Sequence, residues 1–353
     1  MPSEPNTADQ ETVSIGSPEP KRRRTIRVRQ FQRAPVSGWY SVERLFDYVR
    51  AYLPDDIQVD LSINRHPSKG MLPRLMDALA ARRLGKGINH ILGDVHYLAW
   101  FLPRRRTLIT VLDCIPLERT RGLRRFALWL LWYWWPLRRA SHVAVISEFT
   151  RQSLLGWVNF DEERVVVIPP AVSRSFVYTP PRPHNQWSRI LQIGTTPNKN
   201  VSRLIEALAG LDVTLVMVGH LTDPVRQLLK ATATRFENHT NVADEALVDL
   251  YQGADVLVFP STYEGWGMPI IEAQATGRPV VTSDIASMPE AAGGAACLID
   301  PFDVASIRAG IVRILSNEQY AYGLIEAGRT NARQYDVKEI ASRYAALYRQ
   351  MST

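Results

Sequence analysis

Cysteine is nearly absent: Cys114 and Cys297 are the only two in 353 residues. Both sit beside apolar segments, so core packing is their expected role. No disulfide framework and no zinc-ligand spacing exists, which fits a reducing cytoplasm. The apolar run Phe126–Leu137 is too short to span a bilayer. Met1–Pro20 is polar, acidic and proline-bearing, without the apolar stretch of a secretory signal. It reads as a disordered tail over residues 1–24. The tail ends in Lys21-Arg22-Arg23-Arg24, a solvated basic arm or, alternatively, a nuclear or nucleic-acid patch.

Hydrophobic residues at 46% and charged residues at 22% describe an ordinary globular protein, and the length suits two domains. The formal charge of +7 is uneven. Lys and Arg outnumber Asp and Glu by 26 to 17 within residues 1–170, and the remainder is slightly acidic. A basic first half favours anionic partners such as acidic lipid or lipid-phosphate. No nucleic-acid module motif is present, so nucleic acid is not the expected partner.

Short apolar runs alternate with helical patterns along the chain. Strands are expected at Thr25–Arg29, Ile57–Ile63, Ile88–Leu92, Leu108–Leu112, Val143–Ile146 and Val165–Ile168. Ser41–Leu53 and Pro73–Leu84 carry helical spacing, and Ser147 is a good helix N-cap. Thr179–Asn185 is proline-rich and marks a break. A second series follows. Its strands are Ile190–Ile193, Thr214–Val218, Val256–Phe259 and Pro279–Thr282. Its helices are Val201–Ala209, Glu245–Gln252, Pro269–Thr276 and Val304–Leu315. The fold class is therefore α/β, with two Rossmann-like domains facing one another. The expected boundaries are 25–178 for the acceptor domain, 179–186 for the linker and 187–334 for the nucleotide-sugar domain. Residues 335–353 are a C-terminal helix returning to the first domain. The cleft between the domains, at the carboxyl ends of the strands, is the expected site.

One stretch carries most of the chemistry: Val256-Leu-Val-Phe-Pro-Ser-Thr-Tyr-Glu264-Gly-Trp-Gly-Met-Pro269-Ile-Ile-Glu272. An apolar strand runs into a glycine turn, and Pro269 suits a first helical position. Gly265 and Gly267 admit a ligand close to the backbone. Amides around Gly267 and Met268 at a helix N-terminus form a natural diphosphate site. Carboxylates facing a phosphate would repel it, so Glu264 and Glu272 fit better as acceptors for hydroxyls. Together these features point to a nucleotide sugar.

This stretch resembles the E-x7-E motif of retaining glycosyltransferases with the GT-B fold, the group 1 glycosyl transferases. The resemblance covers most of the chain and is strongest from Ile190 to Asp303. Leu191-Gln-Ile-Gly194-Thr195-Thr-Pro-Asn198-Lys199-Asn200 looks like the family's phosphate loop, with Lys199 neutralising the leaving diphosphate. Relatives commonly hold an arginine where this chain has Asn198 or Thr195, so one cationic contact is missing or comes from an arginine of the first domain. The resemblance implies that Glu264 lies near the donor sugar and Glu272 on the ribose. It also makes Val242 a candidate base contact, with plain packing an equal alternative, and gives Gly194, Thr195, Gly265, Trp266, Gly267 and Met268 to the donor pocket. Ser283–Gly294 reads mainly as a fold marker.

His96 and Asp113 follow strand-like runs and are candidates for sugar or acceptor contacts or for an assisting base, although His96 fits a structural role equally. Relatives commonly carry a histidine at the position of Leu112, touching the donor near its 6-position. Either the donor lacks a 6-hydroxyl or that contact is lost or replaced. Arg121–Arg139 is rich in tryptophan and arginine, which suits a helix on a membrane surface or one packed between domains.

The expected function is retaining transfer of a sugar from a nucleotide diphosphate sugar to a glycan or lipid-linked glycan in cell-surface polysaccharide assembly. The enzyme would be cytoplasmic, peripheral on the inner face of the membrane. The resemblance implies no cofactor and no metal, and no Asp-x-Asp triplet occurs. Alternatives are a non-catalytic nucleotide-sugar-binding or assembly partner, and a sugar-nucleotide epimerase of similar fold.

Overall fold

The computed structural model describes residues 25–34, 41–66, 68, 70–181 and 188–352, with backbone alone at 41–42. The basic arm and most of the proline-rich linker lie outside these residues. The chain builds two six-stranded sheets with every pairing parallel. The first holds β1 (Ile26–Gln32), β2 (Ile57–Ile63), β3 (Ile88–Ile91), β4 (Thr107–Val111), β5 (His142–Val145) and β6 (Val165–Val167), in the order β2-β1-β3-β4-β5-β6. The second holds β7 (Ser188–Ile193), β8 (Val213–Val218), β9 (Arg235–His239), β10 (Val256–Phe259), β11 (Val280–Ser283) and β12 (Cys297–Ile299), in the order β12-β11-β10-β7-β8-β9.

Central strands β3, β4 and β10 are buried along their whole length; β10 is a continuous apolar run, as a two-faced parallel sheet favours, whereas β3 and β4 also bury the polar Asn89, His90, Thr107 and Thr110. Two strands are absent from the sequence reading, β9 and β12. Both are sheet edges. The segment of β9, Arg-Phe-Glu-Asn-His, is half solvated, and β12 is only three residues long, so neither shows a buried run. Cys114 and Cys297 are buried free thiols.

The chain crosses between the sheets twice, and the two crossings touch. The Val172 amide donates to the Tyr335 carbonyl at 2.8 Å, and Arg174 pairs with Asp336 at 3.2 Å. Past the second crossing, helix Val337–Ser352 packs Ile340, Tyr344 and Tyr348 into one cluster with Val28, Phe46 and Ile88 of the first sheet's layer. Its Tyr348 hydroxyl is 2.7 Å from Nδ1 of His90, whose Nε2 lies 2.7 Å from Thr110 Oγ1. Burial pushes the His90 imidazole down to about 3, so this histidine is a neutral rivet between strand and helix.

Candidate active site

Loops at the carboxyl ends of β3, β4, β5, β7, β8 and β10 turn toward the seam between the sheets. A cavity of about 970 Å³ opens there, with walls from both domains. The first domain supplies Gly93, Asp94, His96, Leu112, Asp113, Trp132 and three arginines, Arg33, Arg74 and Arg119; the second supplies Thr196, Pro197 and Asn198.

On the second domain, Gly194 follows β7 at φ +85°, a conformation that favours glycine. A Cβ there would sit 2.9 Å from Lys199 Cε, so the bare backbone also makes room for the lysine. Lys199 lies over the Phe259 ring at 4.5 Å and reaches Glu264, its Nζ 2.7 Å from Oε1. Both side chains are 17% exposed, beside Asn198, which lines the large cavity. Asn198 donates through Nδ2 to the same carboxylate at 3.1 Å and to the Tyr263 carbonyl at 3.0 Å. The place of the missing arginine is thus taken by a brace for Glu264. Thr195 donates to the His220 carbonyl at 2.7 Å and ties the β7 loop to the β8 loop.

The turn 264–267 is held from both sides. Ser287 Oγ lies 2.9 Å from the Glu264 carbonyl and 2.7 Å from that of Trp266. From the first domain, Ser147 and Thr150 donate to the Gly265 carbonyl at 2.8 and 3.3 Å. Ser147 also caps helix Glu148–Trp157. The Glu290 carboxylate accepts the amide of Glu148 at 2.9 Å and that of Phe149 at 3.4 Å, a negative charge from one domain at the helix N-terminus of the other. Burial raises the Glu290 carboxyl above its ordinary range. Ser287 and Glu290 were missed as working residues. Their only signal is their place in Ser283–Gly294, read as a fold marker.

Gly267 stands at φ +119° as N-cap of helix Met268–Thr276. One turn on, Glu272 is half-buried in a second, smaller pocket of about 100 Å³ with Arg44, Tyr48, Asp244 and Met268. Its Oε2 accepts the Tyr251 hydroxyl at 2.6 Å, and burial pushes its carboxyl up to about 7. Arg44 and Tyr48 of the first domain reach Asp244 at 2.7 and 3.2 Å, closing this pocket across the seam.

The remaining expectations divide. Asp113 lines the large cavity, accepts the Ile115 amide at 3.0 Å, and is raised above the ordinary carboxylate range by burial. His96 lines it too but is 3% exposed, with Nδ1 3.0 Å from the Trp132 carbonyl. Burial lowers its pKa, so the ring is neutral and its Nδ1 proton orients the tryptophan segment. Val242 is half-buried in the loop after β9. Trp266 is 4% exposed and meets Tyr335 edge-on at 5.2 Å. Its side chain packs the core, which leaves only its backbone for the expected donor contact.

Comparison with known proteins identifies two domain matches. Residues 188–317 match the family described as Glycosyl transferases group 1, and residues 88–176 match Glycosyltransferase Family 4. Each half of the chain thus carries a glycosyltransferase-type domain. It is 31% identical over 223 residues to the O-antigen chain mannosyltransferase B of Escherichia coli, an alignment covering 56% of this chain and 58% of that one. It is 29% identical over 225 residues to the MMP alpha-(1->4)-mannosyltransferase of Mycolicibacterium hassiacum, covering 60% and 54%. The chain thus spans little more than half the length of these relatives. Among solved structures, Anabaena HepE in complex with UDP superposes with a TM-score of 0.75 at 16% identity, covering 92% of this chain and all of that one. Sucrose-phosphate synthase from Thermosynechococcus elongatus gives 0.73 at 18%, covering 92% and 99%. Both support the two-domain GT-B fold of this chain.

Proposed function

We propose that this glycosyltransferase moves a hexose from a nucleotide diphosphate sugar to a glycan or lipid-linked glycan, with retention at the anomeric carbon. The observation that carries the reading is the Lys199–Glu264 pair at 2.7 Å, at the carboxyl ends of β7 and β10 and beside a two-domain cavity. Breaking the anomeric carbon–phosphate bond puts charge on the leaving diphosphate. A cation set there before the reaction stabilises the transition state without reorganising. Lys199 is that cation. The amides from Gly267 onward, at the start of helix Met268–Thr276, assist it. Glu264 then accepts from sugar hydroxyls, and Glu272 from the ribose.

The second cation comes from the first domain. Arg119 lines the same cavity as Asn198, and no ion pair ties it down among the described residues. The acceptor enters along the wall of His96, Asp113 and Trp132, with Asp113 as the assisting base. Retention follows from attack on the face the diphosphate leaves, with a donor phosphate oxygen taking the acceptor proton. No resident metal is needed on this reading, and activity persisting in a chelator tests that. Location at a cytoplasmic membrane face belongs to the same proposal.

The test is thermal stabilisation by UDP, GDP, ADP and dTDP, followed by turnover with the matching sugar donors. The relatives named as mannosyltransferases make mannose the first sugar to try. A 6-deoxy counterpart addresses Leu112. A shift with one nucleotide, reduced in Lys199→Ala and Glu272→Gln, supports the pocket. Product whose anomeric proton shows inversion refutes retention. Well-folded protein that binds no nucleotide refutes the donor site.

A further inference from the structure

Helix Met71–Leu84 is inverted relative to an ordinary surface helix. Its inward face is small, with Ala78 and Ala81 packed in one cluster with Ile91 and Tyr97. Its outward face carries the large apolar residues. Leu72 is 68% exposed, Met76 50%, Leu79 42% and Leu75 38%. The helix's one carboxylate, Asp77, is buried and sits 2.8 Å from His66 Nδ1. Every exposed side chain on this helix is therefore apolar or cationic, because Arg82 and Arg83 complete it. Lys86 and Arg104–Arg106 extend the exposed basic rim beyond its end.

We propose that this face docks the protein on an anionic bilayer, with Leu72, Leu75, Met76 and Leu79 entering the interface and Arg82, Arg83 and the neighbouring cations meeting the headgroups. Charge decides the occupant. Apolar side chains bordered at one end by cations, with no exposed carboxylate on the helix, match a negatively charged lipid surface. A second copy on a twofold axis would bring the same arginines against one another.

The tryptophan segment is less suited. The indole N–H groups of Trp129 and Trp132 are already spent on the carbonyls of Trp157 and Asp94, at 2.8 and 3.0 Å, and Arg74 lies over the Trp132 ring at 4.2 Å. Those rings fasten the segment to the domain. The docking face also leads to the cleft, since Met71 and Arg74 at its start line the 970 Å³ cavity. A bilayer here would lie at the mouth through which a lipid-linked acceptor enters. That last link rests on the transfer reading; the docking itself does not.

The experiment is co-sedimentation of the full chain with phosphatidylcholine vesicles, with and without phosphatidylglycerol. The variants are Leu72→Glu/Met76→Glu, Arg82→Ala/Arg83→Ala and Leu123→Glu/Phe126→Glu, with melting temperature and solution mass measured for each. Expected is binding to the anionic vesicles. It should fall roughly tenfold or more in the first two variants, at unchanged melting temperature, and stay unchanged in the third. No binding by the native chain overturns the proposal, as does native-level binding by Leu72→Glu/Met76→Glu. Loss confined to Leu123→Glu/Phe126→Glu moves the contact to the tryptophan segment and overturns it too. A native dimer made monomeric by Leu72→Glu/Met76→Glu assigns the face to a second copy. Nucleotide-induced stabilisation, read separately, reports on the donor site alone.

Discussion

Replacing Gly265 by alanine should separate donor binding from transfer. Gly265 is not in the left-handed region, so alanine imposes no backbone strain. The obstacle lies across the seam. A Cβ at 265 would sit 2.3 Å from the Leu112 carbonyl oxygen and 3.2 Å from Ile146 Cδ1. Carbon and oxygen need about 1 Å more than that, and a backbone carbonyl at the end of β4 has no rotamer to change. The turn and the first domain must part by that amount. The hydrogen bonds from Ser147 and Thr150 to the Gly265 carbonyl stretch with it, at about 1 kcal/mol each.

Misplacing catalytic groups by about 1 Å costs on the order of 100-fold in rate. Gly265→Ala should therefore lower kcat/KM by about 100-fold. Nucleotide stabilisation should stay within a degree or two, because Gly194, Lys199 and Glu272 all belong to the second domain. The assay is steady-state transfer beside nucleotide thermal shift on one preparation. Native transfer by Gly265→Ala would refute the claim that this seam sets the reacting geometry. Loss of nucleotide binding in step with transfer would refute the separation.

Other outcomes follow from named contacts. Lys199→Ala should cut kcat by about 100- to 1000-fold, more than it raises KM, because its charge acts on the leaving diphosphate; steady-state kinetics on the variant checks this. Tyr348→Phe strips a partner from His90 and Gln30, at 2.7 and 3.2 Å, and should cost about 2 kcal/mol in urea unfolding. For Glu272, the folded carboxyl is raised from 4.5 to about 7. Its contribution is full below pH 4.5 and is lost as pH rises through about 7. The loss is on the order of 3 kcal/mol, and Glu272→Gln should flatten that part of the stability–pH curve. Equal slopes in both proteins would refute the burial argument.

The alternation of apolar runs and helical patterns was enough to read the two parallel sheets, because buried strands such as Val256–Phe259 cannot hide their composition. Edge strands can: Arg235–His239 keeps Arg, Glu, Asn and His in a pairing made by backbone, and no side-chain pattern records that. The candidate donor-side residues could be named because glycine turns and strand ends are local. Lys199 and Glu264 came from separate motifs, and the fold set them 2.7 Å apart. What was not readable is which side of a strand end faces the cleft. Trp266, inside the most informative motif, points into the core. Arg33, two strands away in the sheet order from Asp113, lines the same cavity. Helix Met71–Leu84 carried a helical pattern, but periodicity alone could not say which stripe faces out.

The departures at Asn198 and Thr195 bear on whether the site works at all, and the geometry gives each a task. An arginine at 198 would offer its charge to the diphosphate. Asparagine instead uses its amide on Glu264 and on the Tyr263 carbonyl. Thr195 likewise spends its hydroxyl on the His220 carbonyl, and a Cβ on Gly219 would come within 2.6 Å of that hydroxyl. These contacts stiffen the β7, β8 and β10 loops around Lys199. A site that has lost its function has no reason to keep Lys199, Asn198 and Glu264 in one hydrogen-bonded set with both charges 17% exposed. If the set is a scaffold for chemistry, Asn198→Ala should loosen Glu264 and lower kcat while leaving nucleotide stabilisation nearly intact. If Asn198 instead contacts the diphosphate directly, the same variant should weaken nucleotide binding as strongly as transfer. The ratio of those two losses, read on one protein, separates a brace from a ligand.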